Sequence, residues 1–595
     1  MEKKAGAALG AALLLAVAAS YLPVFSAGFI WNDPAYVTEN RTLDGPGSLL
    51  RIWTDTRANE QYYPLVFTTF WIEKRIWGLH PLGYHVVNVL LHGLGALLLW
   101  RLLRRLALPG AWLAAAAFAL HPVCVESVAW VTERKNTLSL VLCLLAAQAF
   151  LAWRDAREAR QRVAEAAARS TPPRKRKARE KEAPLGRAPF HERPAFLYGA
   201  ALVAFTLALF AKTTASVLPA VLLVVVWWRH GRVRWRDAGP LLPFFVVGVG
   251  LSLHTAWLER TMVRATGDEW AHGLLERVVL AGQTTTFYAA KILWPSDLMF
   301  IYPRWSLDAG SLRPWLPALG WAAALGGAVL LVRSGRRGPL AGLLLFGGVL
   351  FPAMGFFNVY AMRYSWVADH FAYQAVAVAA AVLVCGAASL IAPAPPLYSR
   401  LATGLGLAGL FVLATLTFRQ GPAYKDEETL WRHTLERNAD CFICLTNYGN
   451  LLLEAGKTGE AVSLLTRSLA IKPDAVPTRL NLARVAEEQR SFGEAASHLL
   501  AALAIDPSDD EIRIHLATVY TKAGRLDDGI REFQKALETP SPSDFLAHNG
   551  LGAALMGAGR PVEAIEHFRE CVRLRPDYEH GRANLARALA MTQSR

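Results

Sequence analysis

Two patterns of apolar and polar positions follow one another along the chain. Before residue 420 there are about eleven runs of roughly 17 to 25 mostly apolar residues, the length a helix needs to cross a hydrocarbon layer. They centre near residues 16, 93, 119, 145, 203, 221, 248, 323, 348, 381 and 410. From about residue 424 the pattern becomes amphipathic, with Ala- and Leu-rich faces alternating with charged ones. The expected fold class is therefore all-α: a multi-span membrane domain over 1–420, then a helical domain over 424–595.

The second domain repeats itself. Gly456, Arg490 and Gly524 are spaced by 34, as are Ala461, Ala495 and Gly529, and both series continue at Gly559 and Ala564 after a step of 35. Pro473, Pro507, Pro542 and Pro576 recur at nearly the same period. This is the tetratricopeptide repeat signature. Four repeats are expected over 440–576, with a polar closing helix over 577–595. Stacked helical hairpins of this kind form an α-solenoid, whose concave surface takes extended peptides or proteins.

Loop charge sets the expected orientation of the membrane domain. RLLRRL (101–106), RHGRVRWR (229–236), RSGRR (333–337) and the basic segment 154–194, with PPRKRKAREKE inside it, are assigned to the cytoplasm. Gly28 to Gln61 then lies outside, the N-terminus inside and the repeats outside. The first run continues from MEKK to Ile30 without a small-residue cleavage site and is taken as a retained span. Residues 274–293 (LLERVVLAGQTTTFYAAKIL) are helical in pattern but do not fit the span count. A helix in the outer interface is expected there, with its Thr and Gln facing a polar cavity.

Composition agrees with the membrane assignment, since 595 residues with 53% hydrophobic and 19% charged side chains do not make a soluble protein. The net charge of +15 is absorbed by the cytoplasmic loops, which removes the case for a nucleic-acid partner. Six Cys make no disulfide framework. Cys441 and Cys444 form a CxxC without the second pair or the His that zinc requires. They are read as structural thiols, in preference to an extracytoplasmic disulfide.

Ionisable groups near a bilayer are costly unless they line a wet cavity or find partners, and several fall on the expected outer side. WNDPAYVTEN (31–40) offers Asp33 and Glu39. HPVCVESVAWVTERKN (121–136) offers His121, Glu126, Glu133, Arg134 and Lys135. FAKTTAS (210–216) places Lys212 between two spans, and NVYAMRYSWVADHFAY (358–373) brings Arg363, Asp369 and His370. Carboxylates beside Lys and Arg suit transfer from an anionic lipid-bound donor, a carboxylate acting as base while cations hold the leaving phosphate. Snorkelling charges that merely anchor the interface are the alternative.

With these motifs, and with YYPLVFTTF (62–70), GLHPLGYHVVNVLLH (78–92), KILWPSDLMFIYPRW (291–305) and ADHFAY (368–373), the chain resembles the transmembrane and tetratricopeptide repeat-containing O-mannosyltransferases of the GT-C fold, and more closely their bacterial relatives. The resemblance implies a membrane glycosyltransferase that moves sugar from a polyprenyl-phosphate donor, as co-substrate, to a protein Ser/Thr hydroxyl. It also implies inversion, no metal, and a bacterial inner membrane with the repeats periplasmic.

By position it assigns the catalytic base to Asp33. The substrate-binding side falls to His121, Glu126, Arg134, Lys212, Arg363, Asp369 and His370. Within that set, His121 and Glu126 face the acceptor, and Lys212, Arg363 and protonated His370 hold the donor phosphate. Asn32 and Pro34 stand where relatives often carry further acids, Cys124 where His is frequent and His370 where Arg is common. Two other classes remain open at this point: a non-enzymatic membrane scaffold using its repeats to recruit partners, and a lipid-linked sugar transporter, which calls for paired or inverted halves that the sequence does not display.

Overall fold

A computed structural model describes residues 2–59, 61–170, 193–261 and 271–593. It is helical, with no strand among the described residues, and separates into Met1–His433 and Thr434–Arg595.

Among the described residues of the first unit eight helices are long and apolar enough to cross a membrane, and a ninth results if Ala111–Ala119 and Pro122–Ala129, bent by 50°, count as one span. Lys4–Ser20 and Gly338–Ala353 are apolar but shorter. The count of about eleven reached from sequence includes these two. Outward-facing Leu405 and Phe411, each 74% exposed, suit contact with lipid. Inside, Ala146 and Ala147 of the Arg134–Ser170 helix and Ala201 and Ala208 of Pro194–Ala211 let the backbones approach, while Phe150, Phe205 and Phe244 fill the space between.

Arg134–Ser170 is 37 residues long, more than a span needs, so residues 154–170 are helix where loop was expected. Their Ala, Glu, Gln and Arg residues are strong helix formers. PPRKRKAREKE lies outside the described residues. Leu274–Leu293 is one helix, with Val279, Leu280, Tyr288 and Ile292 buried. Thr284 and Thr285 have their hydroxyls engaged within the helix. They bond back to the carbonyls of Leu280 (2.9 Å) and Ala281 (2.6 Å) of their own helix.

The expected outer loop 28–61 folds into short helices, Pro34–Thr38, Arg41–Leu43 and Ser48–Thr54, backed by Pro64–Trp77. Tyr36, Phe67, Phe70 and Tyr84 form their core. Its start is fastened to the segment after the last span, where Gly28 N–H donates to the Lys425 carbonyl at 2.8 Å.

The second unit is four hairpins and a closing helix: Phe442–Glu454 with Thr458–Ile471, Val476–Glu488 with Phe492–Ile505, Asp510–Lys522 with Leu526–Ala536, Asp544–Gly557 with Pro561–Leu574, then Glu579–Gln593. The 34-residue period now has a cause. Gly456, Gly524 and Gly559 each turn a hairpin at φ between 74° and 77°, and Arg490 does so at φ 58°. A left-handed residue ends a helix by satisfying its last carbonyls, and glycine does this without strain. Ala461, Ala495 and Ala564 are fully buried where helices cross. Cys441 and Cys444 are joined by a disulfide, which corrects the thiol reading. Cys441 caps the Phe442–Glu454 helix, so a spacing of three residues brings the two Cα atoms to 5.3 Å, within disulfide range.

Candidate active site

Asp33 owes its position to Trp31, whose φ of 54° is left-handed. That conformation costs a non-glycine residue about 1–2 kcal/mol, and packing holds it: the Trp31 ring meets Phe300 (5.8 Å between centroids), Tyr364 (6.4 Å) and Trp431 (4.9 Å) edge-on. Asp33 is fully buried. One carboxylate oxygen accepts from Ile30 N–H at 3.0 Å, and the other from Thr132 N–H at 2.8 Å and the Thr132 hydroxyl at 2.6 Å. Burial pushes its carboxyl from 3.8 up to about 7, with the hydrogen bonds pulling the other way.

Thr132 belongs to the 121–136 segment, which is buried rather than an exposed loop. Pro122 breaks the helix after His121. His121 has both ring nitrogens engaged: Nε2 donates to the Ile292 carbonyl at 2.9 Å and Nδ1 accepts from Val123 N–H at 3.3 Å. Glu126 is buried and meets His370 twice, through Nδ1 at 2.7 Å and the backbone N–H at 3.1 Å. Glu133 pairs with Lys135 at 2.9 Å and Lys212 at 3.3 Å. Asn136 joins the groups. Its amide donates to Glu133 (2.7 Å) and to the His370 carbonyl (2.8 Å), and its oxygen accepts from Lys212 at 2.7 Å.

Lys212, Glu133, Asn136, His370 and Glu126 therefore form one buried network drawn from three separate stretches of chain. Asp369 lies beside it, accepting from the Tyr302 hydroxyl at 2.8 Å. Burial, with the Glu126 charge adding to it, holds the Asp369 carboxyl well above its usual range. Burial pulls the Lys212 ammonium down, and Glu133 opposes it. Arg363 ends the Tyr360–Arg363 turn, half-buried.

Arg134 is placed differently from the sequence expectation. It is fully buried and pairs through both terminal nitrogens with Glu73. Its remaining donors go to Asn88, Thr69 (3.2 Å) and the Tyr84 carbonyl (2.9 Å). All five guanidinium N–H groups are thus in use, which leaves none for a phosphate.

Sequence reasoning missed Asn136, Tyr302 and an aromatic wall. Phe300 packs against Trp130 at 5.1 Å and Trp431 at 5.8 Å, and Trp130 against His370 at 5.7 Å. The indole N–H groups of Trp130 and Trp431 are buried without a hydrogen-bond partner among the described residues. Buried donors are nearly always satisfied, so these two are suited to a polar ligand. Phe300 and Tyr302 lie in KILWPSDLMFIYPRW, which was a signal. Trp431 had none, because it follows the last apolar run. As a whole the site pairs buried carboxylates with ammonium groups beside flat aromatic surfaces, and can take up a proton next to a bound anion.

The tetratricopeptide repeat family matches residues 434–510 and 515–579, and a second family of that description matches 486–542. The chain is similar to Protein O-mannosyl-transferase F38B6.6 of Caenorhabditis elegans, 28% identical in an alignment of 151 residues that covers 22% of each chain. It is 35% identical over 138 residues to Protein O-mannosyl-transferase Tmtc1 of Drosophila melanogaster (21% of this chain, 16% of that one). To Protein O-mannosyl-transferase TMTC2 of Mus musculus it is 33% identical over 141 residues, with the same two shares. These alignments lie in the repeat region, so the chain spans about a fifth of the length of the curated relatives it matches. Among solved structures, pilF of Pseudomonas aeruginosa is 19% identical with a TM-score of 0.25, covering 27% of this chain and 72% of that one. The peptide-binding repeat protein YrrB is 21% identical with a TM-score of 0.25, covering 28% and 84%. By family match and by hairpin geometry alike, the C-terminal unit of this membrane protein is an array of tetratricopeptide repeats.

Proposed function

We propose that the chain is a membrane glycosyltransferase that moves a sugar from a polyprenyl-phosphate donor to a protein hydroxyl on the extracytoplasmic side. The observation that carries this reading is the network of Lys212, Glu133, Asn136, His370 and Glu126, which Asp33 approaches through Thr132, the neighbour of Glu133, and beside which the Trp130 indole N–H lies buried without a partner among the described residues. The name shared by the relatives, protein O-mannosyl-transferase, agrees with it.

In the proposed reaction the acceptor oxygen bonds to the anomeric carbon as the carbon–oxygen bond to phosphate breaks. Asp33 takes the hydroxyl proton, and the polyprenyl phosphate leaves with the bonding pair. A base with its pKa near 7 is well matched to neutral pH. Lys212 and Arg363 hold the departing phosphate, and His370 joins them. Glu126 orients His370, and the rings of Trp130 and Trp431 offer faces to the sugar and N–H groups to its hydroxyls. The repeats present the acceptor peptide. Grouping of the basic segments supports the orientation: Arg105 reaches Asp155 at 2.7 Å and Arg154 reaches Asp237 at 3.1 Å, at the span ends remote from Lys212. The Cys441–Cys444 disulfide fits an oxidising compartment for the repeats.

One observation favours a second reading. Both Asp33 oxygens already accept hydrogen bonds and the residue is closed off, which suits a structural carboxylate in a non-enzymatic scaffold. Incubating the purified full chain with polyprenyl-phosphate sugars and an acceptor peptide separates the two. Release of polyprenyl phosphate with sugar on the peptide is expected, and no consumption of any donor establishes the scaffold.

A further inference from the structure

At the far end of the spans from Lys212, a cavity of about 260 Å³ opens between the Arg134–Ser170 helix and the turn from His230 to Asp237. Its wall carries Arg154, Arg157, His230, Arg232, Arg234 and Arg236. Two carboxylates face it, and both reach the same cation: Arg154 lies 3.0 Å from Glu158 and 3.1 Å from Asp237. Arg154 is thereby buried and neutralised as the floor of the cavity. Among the described residues no ion pair engages Arg157, Arg232 or Arg236. Arg157 stacks over Trp153, 5.4 Å from the ring centroid, which holds its guanidinium at the rim.

A basic cavity of this kind attracts an anion, and its surroundings indicate which one. Trp235, 78% exposed, and Val233, 42% exposed, project from the same short turn as Arg232, Arg234 and Arg236. Exposed indole and alkyl groups interleaved with arginines at the end of spans match the depth at which acyl chains meet headgroups. A soluble phosphate has no use for the apolar groups at the mouth. A phospholipid uses both, its phosphate inside and its chains beside Trp235.

We propose that this cavity is a binding site for the headgroup of an acidic phospholipid. Arg157, Arg232 and Arg236 hold the phosphate, and Trp235 and Val233 border the acyl chains. The proposal stands apart from the catalytic reading and survives if no sugar is transferred.

The test is lipid binding to the full chain in detergent, read by native mass spectrometry during titration with phosphatidylglycerol and with phosphatidylcholine. Phosphatidylglycerol is expected to bind first and to saturate one strong site. The pair Arg157→Gln and Arg232→Gln lowers that affinity about tenfold or more, since each cation near a membrane surface contributes severalfold. Arg101→Gln with Arg104→Gln removes the same charge near Arg105, at the same end of the spans but outside the cavity, and leaves affinity within about twofold. Equal losses in the two pairs would reduce the effect to surface charge and overturn the site. Equal binding of the two lipids by the unmodified protein, which needs no variant to fold, overturns it as well. Displacement of phosphatidylglycerol by an equal concentration of inorganic phosphate would assign the cavity to a soluble anion and overturn the lipid.

Discussion

Replacing Asp33 by Asn removes a charge from a fully buried position while its neighbouring donors stay in place. A carboxyl whose pKa rises from 3.8 to about 7 on folding binds its proton more tightly in the native state. Its stabilising contribution is present below pH 4 and is lost as pH rises through about 7, amounting to roughly 4 kcal/mol. Asparagine does not titrate, so the stability difference between the two proteins moves by about that amount in the variant's favour between pH 4 and 8. A constant offset opposes it at every pH: one side of the amide now presents N–H to a backbone donor, Ile30 or Thr132, at about 1–3 kcal/mol.

Thermal unfolding of the purified protein in detergent, followed across that pH range, reads both terms. Turnover supplies a separate reading. If Asp33 is the base, the rate rises about tenfold per pH unit below 7 and levels above, and Asp33→Asn lowers it by roughly 10²- to 10⁴-fold. Glu39→Gln, at an exposed position in the same segment, is the control. Parallel melting profiles from pH 4 to 8 refute the titration of Asp33. Full turnover in Asp33→Asn refutes its role as base and makes Glu126→Gln the next test.

Arg134→Leu strands Glu73 in the core and is expected to destabilise the membrane unit by about 3–5 kcal/mol, read as lost yield and a lower melting temperature, with donor affinity of the surviving fraction unchanged. Arg490→Gly relieves a left-handed non-glycine residue and should stabilise the repeat unit by about 1 kcal/mol in urea unfolding of residues 434–595. Gly529→Ala acts oppositely, because a Cβ there would lie 2.5 Å from the Thr521 hydroxyl and 3.0 Å from the Ala517 carbonyl; a loss of about 1–3 kcal/mol is expected. In intact cells Cys441 and Cys444 should resist alkylation until a membrane-impermeant reductant is added, and ready alkylation without it places the repeats in the cytoplasm.

Most of the architecture was legible from local pattern. Span length and the repeat period depend on neighbours a few residues apart, and the positions at 456, 490, 524 and 559 that marked the period are the ones that turn each hairpin. The site was legible only as a set of segments. Asp33, Glu126, Lys212, Asp369 and His370 were all picked out by charge near a span end, yet nothing in the order of residues shows that Asn136 ties His370 to Lys212. Arg134 was misjudged for the same reason: its partners Glu73, Thr69 and Asn88 are 46 to 65 residues away. Sequence placed the charged residues of the 121–136 segment at a wet cavity or with partners but could not name the partners. Glu133 and Lys135 pair within the segment, while Glu126 and Arg134 find His370 and Glu73 from distant stretches, which is how buried charge is tolerated.

The fastening of Gly28 to Lys425, and of the Trp31 ring to Trp431, sets an order of events during synthesis. Trp31 emerges about 400 residues ahead of Trp431, which at ~5–20 residues per second is a delay on the order of tens of seconds. Throughout it the segment bearing Asp33 lacks one of the surfaces that hold its strained turn. A ribosome that stops before the last span releases a chain with most of its helices inserted but without the Lys425 and Trp431 contacts that hold this segment, so translation through Trp431 is a condition for the turn to be fully braced.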